Sequence, residues 1–344
     1  MLMISFISLF KYIIYFFLTV ILIEFFIASI HDTEKTYISN FFEAAPLKNT
    51  NTGKFIISTK IEDFQNKKND INIIQVGGSS GLHGINPTLV NDYFYDLQDI
   101  NFYNLSCCRN TGYAGYRYIA EAALQRSTNI KYVILYLSPL SLPSKTGNKV
   151  NTLMAEAIKK NYLTYVEKIY LPSFSLRVLF NNIIFKWRVS HNLELDNIMT
   201  LKGLNSTDEI EKLITTNNGW LPFFNKIPIE VPPKEHQRRV NNEFSLFEKE
   251  IGAFSKLCKK YNCKLVINFS PIPFNYTNNQ IDNKVNFLEN KYNNVFVLNG
   301  YNSAYDQDLA DKSLWGDNLH LQPAGSDIES KKFANSLKNF LNSQ

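Results

Sequence analysis

The chain has 344 residues, room for one large domain or two modest ones with a sizeable buried core. Lys and Arg total 36 against 31 Asp and Glu, a small net charge of +5. The basic residues are scattered rather than clustered, which argues against a nucleic-acid footprint.

Tyr12 to Ile30 reads YIIYFFLTVILIEFFIASI, an almost wholly apolar run of 19 residues. That is close to the roughly 20 a helix needs to span a bilayer. Lys11 precedes the run, and His31, Asp32 and Glu34 follow. Positive charge before the span favours a cytoplasmic N-terminus, with the bulk of the chain outside. A cleaved signal peptide would have a shorter apolar stretch ending in small residues, whereas Ala28-Ser29 is followed by bulky Ile30. The expectation is an uncleaved signal anchor over residues 1–31, a single N-terminal transmembrane helix.

Residues 32–70 read as a stalk with some local structure, with Lys48 to Gly53 polar and turn-prone. Ile71-Asn72-Ile73-Ile74-Gln75-Val76 is then a short β-branched run that meets Gly77-Gly78, as a buried parallel strand does. Further strands are expected at Ile100–Leu105, Tyr132–Leu137, Lys264–Phe269 and Val295–Leu298. Helical spacing appears at Gly115–Gln125, Phe244–Tyr261, Asn283–Lys291 and Asp327–Leu341. Strands alternating with helices imply an α/β fold, a three-layer sandwich on a mainly parallel sheet of flavodoxin-like kind. The α/β domain would occupy residues 71–344.

An insertion at about 145–235 breaks the rhythm. It mixes aromatic, aliphatic and basic residues, and near its end it carries Gly219-Trp220-Leu221-Pro222-Phe223-Phe224. It is read either as packing on the main domain or as a lid or a surface for membrane or partner.

The chemistry gathers at two places. The turn Val76-Gly77-Gly78-Ser79-Ser80-Gly81 ends a strand, where glycines tolerate tight or left-handed backbone and a serine can be held exposed. Asp317-Asn318-Leu319-His320, followed by Leu321, Pro323 and Gly325, puts a carboxylate three residues before a histidine. A serine needs such a base to become a nucleophile, and donors for the oxyanion that forms. No G-x-x-x-x-G-K-[ST] or G-x-G-x-x-G spacing is present, which disfavours a nucleotide site.

Other candidates carry less. His83 is expected to be structural or substrate-contacting rather than the base. His31, His191 and His236 lack a second ligand at metal spacing and read as surface residues, so no metal or cofactor is expected. Cys107, Cys108, Cys258 and Cys263 have neither zinc nor Cys-x-x-Cys spacing. Cys258 and Cys263 are the nearest candidates for a disulfide, with two small buried side chains as the alternative.

On these residues the chain resembles the SGNH (GDSL-like) hydrolase superfamily. Strand-Gly-Ser-Ser looks like its first block and Asp317-x-x-His320 like its last. Gly78-Ser79-Ser80 followed by Gly84-Ile85-Asn86-Pro87 is closest to membrane-anchored members of the D-alanine-transfer and polysaccharide O-acetyltransferase type. The resemblance implies Ser80 as nucleophile, with Ser79 the alternative, His320 as base and Asp317 as its orienter. It implies an oxyanion hole from Ser80 and from Gly112 or Gly115. The superfamily's third-block asparagine is missing from Leu137-Ser138-Pro139-Leu140-Ser141, leaving Ser138 or Ser141 to replace it.

The function so implied is a serine esterase or O-acyltransferase at the cell membrane, with its domain outside the cytoplasm. It would act on a cell-envelope glycan or lipid-linked precursor, with a membrane-bound acyltransferase as partner. The missing asparagine motivates the alternative, a degenerate hydrolase fold that binds carbohydrate or assists envelope assembly. No nucleic-acid partner is expected.

Overall fold

The computed structural model describes residues 48–95, 100–108, 111–141, 155, 158–163, 207–224, 229, 234–275 and 277–343, with a few helical residues between 11 and 19. Most of the span expected from Tyr12 to Ile30 lies outside the described residues, as do residues 32–47 of the stalk and most of the insertion. No helix among the described residues is long and apolar enough to cross a membrane.

Five parallel strands form one sheet: β1 (Ile73–Gly77), β2 (Phe102–Asn104), β3 (Tyr132–Leu137), β4 (Lys264–Phe269) and β5 (Val295–Asn299). Their order is β2-β1-β3-β4-β5. All four pairings are parallel, with Ile74 opposite both Tyr103 and Val133, and Val133 opposite Leu265. The strands are short, all but β2 carry β-branched residues, and β1 is buried along its whole length. A parallel sheet covered on both faces requires this.

The alternation of side chains divides the core in two. Ile74 and Val76 of β1, Val133, Leu135 and Leu137 of β3, and Leu265, Ile267 and Phe269 of β4 share one face. Against it pack α1 (Lys48–Lys67), α4 (Gly112–Leu124), α6 (Lys234–Lys260) and α7 (Asn279–Lys291). Ile73, Ile134, Tyr136 and Val266 point to the other face. There α3 (Pro87–Phe94) and α8 (Pro323–Asn342) cover them, with Phe102 against Phe333. This is the three-layer α/β arrangement that the pattern of strands and helices implied.

The second half of the expected stalk is corrected. Lys48–Lys67 is a helix, and its Ile56, Ile57, Ile61 and Phe64 are buried in the core. Polar residues hid this apolar stripe. Lys60, although a lysine, is only 1% exposed and donates to the Ser106 carbonyl. Asp63 accepts from Lys67 Nζ at 3.0 Å and from the Tyr103 hydroxyl at 2.8 Å.

The helices begin where local chemistry allows. In α3, Asn86 accepts a hydrogen bond from the Thr88 N–H and Pro87 takes the first turn. Asn278 caps α7 by accepting from the Ile281 N–H. Pro323 starts α8. From the insertion, α5 (Thr207–Thr216) packs on α1 and buries Ile210 and Ile214. All four cysteines are free thiols, and Cys258 and Cys263 are both buried.

Candidate active site

Between β1 and β3 the strand order reverses, since the chain runs from β1 outward to β2 and returns across β1 to β3. The carboxyl ends of strands at such a switch point form a crevice open to ligands. β1 ends there at Gly77. A Cβ on that residue would lie 2.1 Å from the Tyr136 carbonyl oxygen, so the close approach of β1 to β3 excludes any side chain. The chain then turns directly into a short helix, α2 (Ser79–Gly84).

This turn differs from expectation in its geometry. Gly78 has φ −83° and ψ −164°, an extended conformation open to any residue. Among the described residues only Gly112 and Gly219 are glycines with positive φ. The glycines at 77 and 81 are required by packing, the latter because a Cβ would meet Ser106 Oγ at 2.6 Å.

Beneath α2 lies a buried polar layer. Gln75 Nε2 donates to the Gly81 carbonyl at 3.0 Å and to Ser106 Oγ at 2.9 Å. Asn104 Nδ2 donates to the carbonyls of Gly81 at 2.8 Å and Ile85 at 3.2 Å. The carbonyls at the end of a six-residue helix have few intrahelical partners, and these amides satisfy them.

The second half of the site comes from the loop before α8. Trp315 bridges Leu321, the Gly316 N–H donates to the His320 carbonyl at 2.8 Å, and Trp315 Nε1 donates to the Leu309 carbonyl at 2.7 Å. Asp317 turns the loop by accepting the N–H groups of Leu319 at 2.7 Å and His320 at 2.9 Å. Two serines of α8 then join the halves: Ser326 Oγ donates to the Gly84 carbonyl, and Ser330 Oγ accepts from the Asn86 N–H.

The result is a continuous hydrogen-bonded line. Asp317 Oδ2 lies 2.6 Å from His320 Nδ1, and His320 Nε2 lies 2.7 Å from Ser79 Oγ. Burial pushes the Asp317 carboxyl up, but the His320 bond and charge and the two backbone N–H groups outweigh it. The group is held below the ordinary carboxylate value. An ionised Asp317 can only accept, so it fixes the proton of a neutral His320 on Nδ1. Nε2 is then the acceptor for the Ser79 hydroxyl.

The serine in contact with the histidine is therefore Ser79, not Ser80. Ser80 is only 6% exposed and has no part in the line. Ser79 and Ser80 both lie in the first turn of α2, where N–H groups have no intrahelical acceptor. Gly112 opens α4 with φ 64°, after Arg109 and Asn110, which are outside the described residues. Gly115 is a packing position, buried where a Cβ would meet Thr111 Cγ2 at 2.7 Å and Ile158 Cδ1 at 3.3 Å. Ser138 is buried and its Oγ accepts from the Leu140 N–H, which caps the turn after β3. The Ser141 side chain lies outside the described residues.

Two residues at this site, Trp220 and Phe223, were not singled out from the sequence, whereas His83 was expected to be structural or substrate-contacting. His83, one helical turn after Ser79, donates from Nδ1 to the Leu221 carbonyl at 2.6 Å. Trp220 Nε1 donates to the His83 carbonyl at 3.1 Å, and the Phe223 ring centroid lies 4.8 Å from that of His320. Only the aromatic character of the Gly219–Phe224 stretch pointed to Trp220 and Phe223. His31 and His191 lie outside the described residues. Among the described residues no group of three or more His, Cys, Asp or Glu has the arrangement to hold a metal ion.

No protein-family model matches the chain, and no curated protein matches it.

Proposed function

We propose that the chain is a serine acyl-ester hydrolase or O-acyltransferase of the SGNH type, with Ser79 as nucleophile. The observation that carries this reading is the Ser79–His320–Asp317 line at the carboxyl end of β1. His320 would take the Ser79 proton at Nε2 as Oγ attacks an ester carbonyl. The tetrahedral oxyanion would collapse to the acyl-enzyme, with His320 returning the proton to the leaving alkoxide. A water or sugar hydroxyl would then attack the acyl carbon, giving its own proton to His320 and restoring the Ser79 hydroxyl.

The first-turn N–H groups of α2 and the N–H of Gly112 are the candidate oxyanion donors. The turn after β3 has no asparagine, the side-chain donor of the resembled family, and losing one such donor costs roughly 10²–10³ in turnover. Slow chemistry on a tethered acceptor suits such a site better than rapid hydrolysis. The apolar N-terminal run from Tyr12 to Ile30 supports anchoring in the membrane. We therefore rank a cell-envelope glycan, or its lipid-linked precursor, as substrate outside the cytoplasm. A membrane-bound acyltransferase is the proposed donor.

The missing asparagine equally motivates a second reading, a carbohydrate-binding or assembly protein on a degenerate hydrolase fold. One experiment separates them. A fluorophosphonate probe should label the wild-type chain at Ser79, label Ser80→Ala and spare Ser79→Ala. A wild-type chain that resists the probe sinks the enzymatic reading.

A further inference from the structure

Two side-chain bonds hold His320, one at each ring nitrogen, where the hydrogen-bonding directions of an imidazole lie in the ring plane. They leave the tilt of the ring to whatever touches its faces. Two rings pack against it: Phe223 at 4.8 Å between centroids and 34° between planes, and His83 edge to face at 5.2 Å and 90°. Phe223 and His83 are also in contact, at 5.1 Å, so the three rings brace one another.

Phe223 reaches this place from the returning end of the insertion, and its backbone is pinned. The Asn104 N–H donates to the Asn218 carbonyl at 2.9 Å, extending beyond the edge of β2. The Leu221 N–H donates to the Leu82 carbonyl at 3.3 Å. The Leu221 carbonyl and the Trp220 indole are both bonded to His83. Most of these anchors belong to α2, the helix that carries Ser79. Ser79 and Phe223 are thus held by one helix while they touch the same imidazole. Phe223 is 5% exposed, so the ring is a built contact and not a loose surface group.

We propose that Phe223 is a positioning residue for His320, which rests on the serine-nucleophile reading above. Its ring sets the imidazole tilt that keeps Nε2 on Ser79, and its π-face favours the imidazolium that forms when His320 takes the Ser79 proton. Aromatic rings attract a cation within about 6 Å of the centroid. The charge exists only after proton transfer, so the contact acts on the transition state more than on the bound substrate.

The test compares wild type, Phe223→Leu, Phe223→Met and Phe223→Tyr. Each is measured for thermal stability, for the rate of fluorophosphonate labelling at Ser79, and for kcat and KM on p-nitrophenyl acetate. Phe223→Leu should keep its melting temperature and label about ten- to a hundred-fold more slowly. Its kcat should fall while KM holds, and Phe223→Tyr, which keeps the ring, should recover most of the rate. Should Phe223→Leu unfold, Phe223→Met carries the same comparison. Labelling of the leucine variant at the wild-type rate overturns the proposal. So does a rise in KM with kcat unchanged, which would make the ring a wall for substrate, or a tyrosine variant as slow as leucine. Absence of labelling in wild type counts against the serine nucleophile itself, whereas equal labelling of wild type and variant counts only against Phe223.

Discussion

Consecutive side chains on a helix diverge by about 100°, so only one of Ser79 and Ser80 can face a given partner. The loop before α8 approaches on the side of Ser79, and Ser80 turns into the protein. At this scale Asp317 decides the proton inventory of the site. Asp317→Asn would put an amide against Nδ1, drive the ring proton to Nε2 and remove the acceptor for Ser79. We expect kcat/KM on an activated ester to fall about 10⁴-fold with the melting temperature preserved. Gly77→Ala should act differently, since its methyl would collide with the Tyr136 backbone. That variant should lose about 3 kcal/mol or more in urea unfolding, with activity falling as the site shifts. Glu329 provides a pH signature. It is buried, accepts the Tyr136 hydroxyl at 3.0 Å, and burial raises its carboxyl from 4.5 to about 8. The folded chain then holds a proton that the unfolded chain releases, so this residue makes stability fall as pH rises from 4.5 to about 8. Glu329→Gln keeps an acceptor without the charge. It should melt like wild type at about pH 5 and roughly 5–10 °C higher at about pH 9.

The elements were legible in proportion to how simply they meet the core. β3 and β4 fall on the residues expected from their apolar runs, because a strand buried on both faces needs little else. Helix α1 was not legible, because its buried stripe includes Lys60 and Asp63, whose partners Ser106 and Tyr103 come from the chain around β2. Periodicity cannot anticipate a polar side chain whose acceptor is tens of residues away. The structure makes α1 part of the folding unit. Phe64→Ala should therefore cost about 3–5 kcal/mol in urea unfolding, where a substitution in a stalk would cost almost nothing. The stretch Gly219–Phe224 was flagged by composition alone, as packing or lid. It packs against α2, with Phe223 over the imidazole.

For the whole molecule, the strand order β2-β1-β3-β4-β5 explains why the two halves of the site converge. β1 lies inside the sheet with its end at the switch point. α8 returns across the opposite face from α4 and is tied to α2 and α3 by Ser326 and Ser330. The loop that precedes α8 is thereby delivered onto Ser79. The proposed anchor is tested at this scale too. The full-length chain should sediment with membranes and resist carbonate extraction, and removal of residues 1–30 should release it; full-length chain in the soluble fraction would overturn the anchor. By itself the sequence determined the α/β class, the strands and the identity of the His320–Asp317 pair, because each rests on residues close together in the chain. Which serine that pair touches, that α1 belongs to the core, and that the insertion returns over the imidazole were decided only by the tertiary structure. They depend on contacts between segments up to 241 positions apart, formed when the sheet closes its switch point.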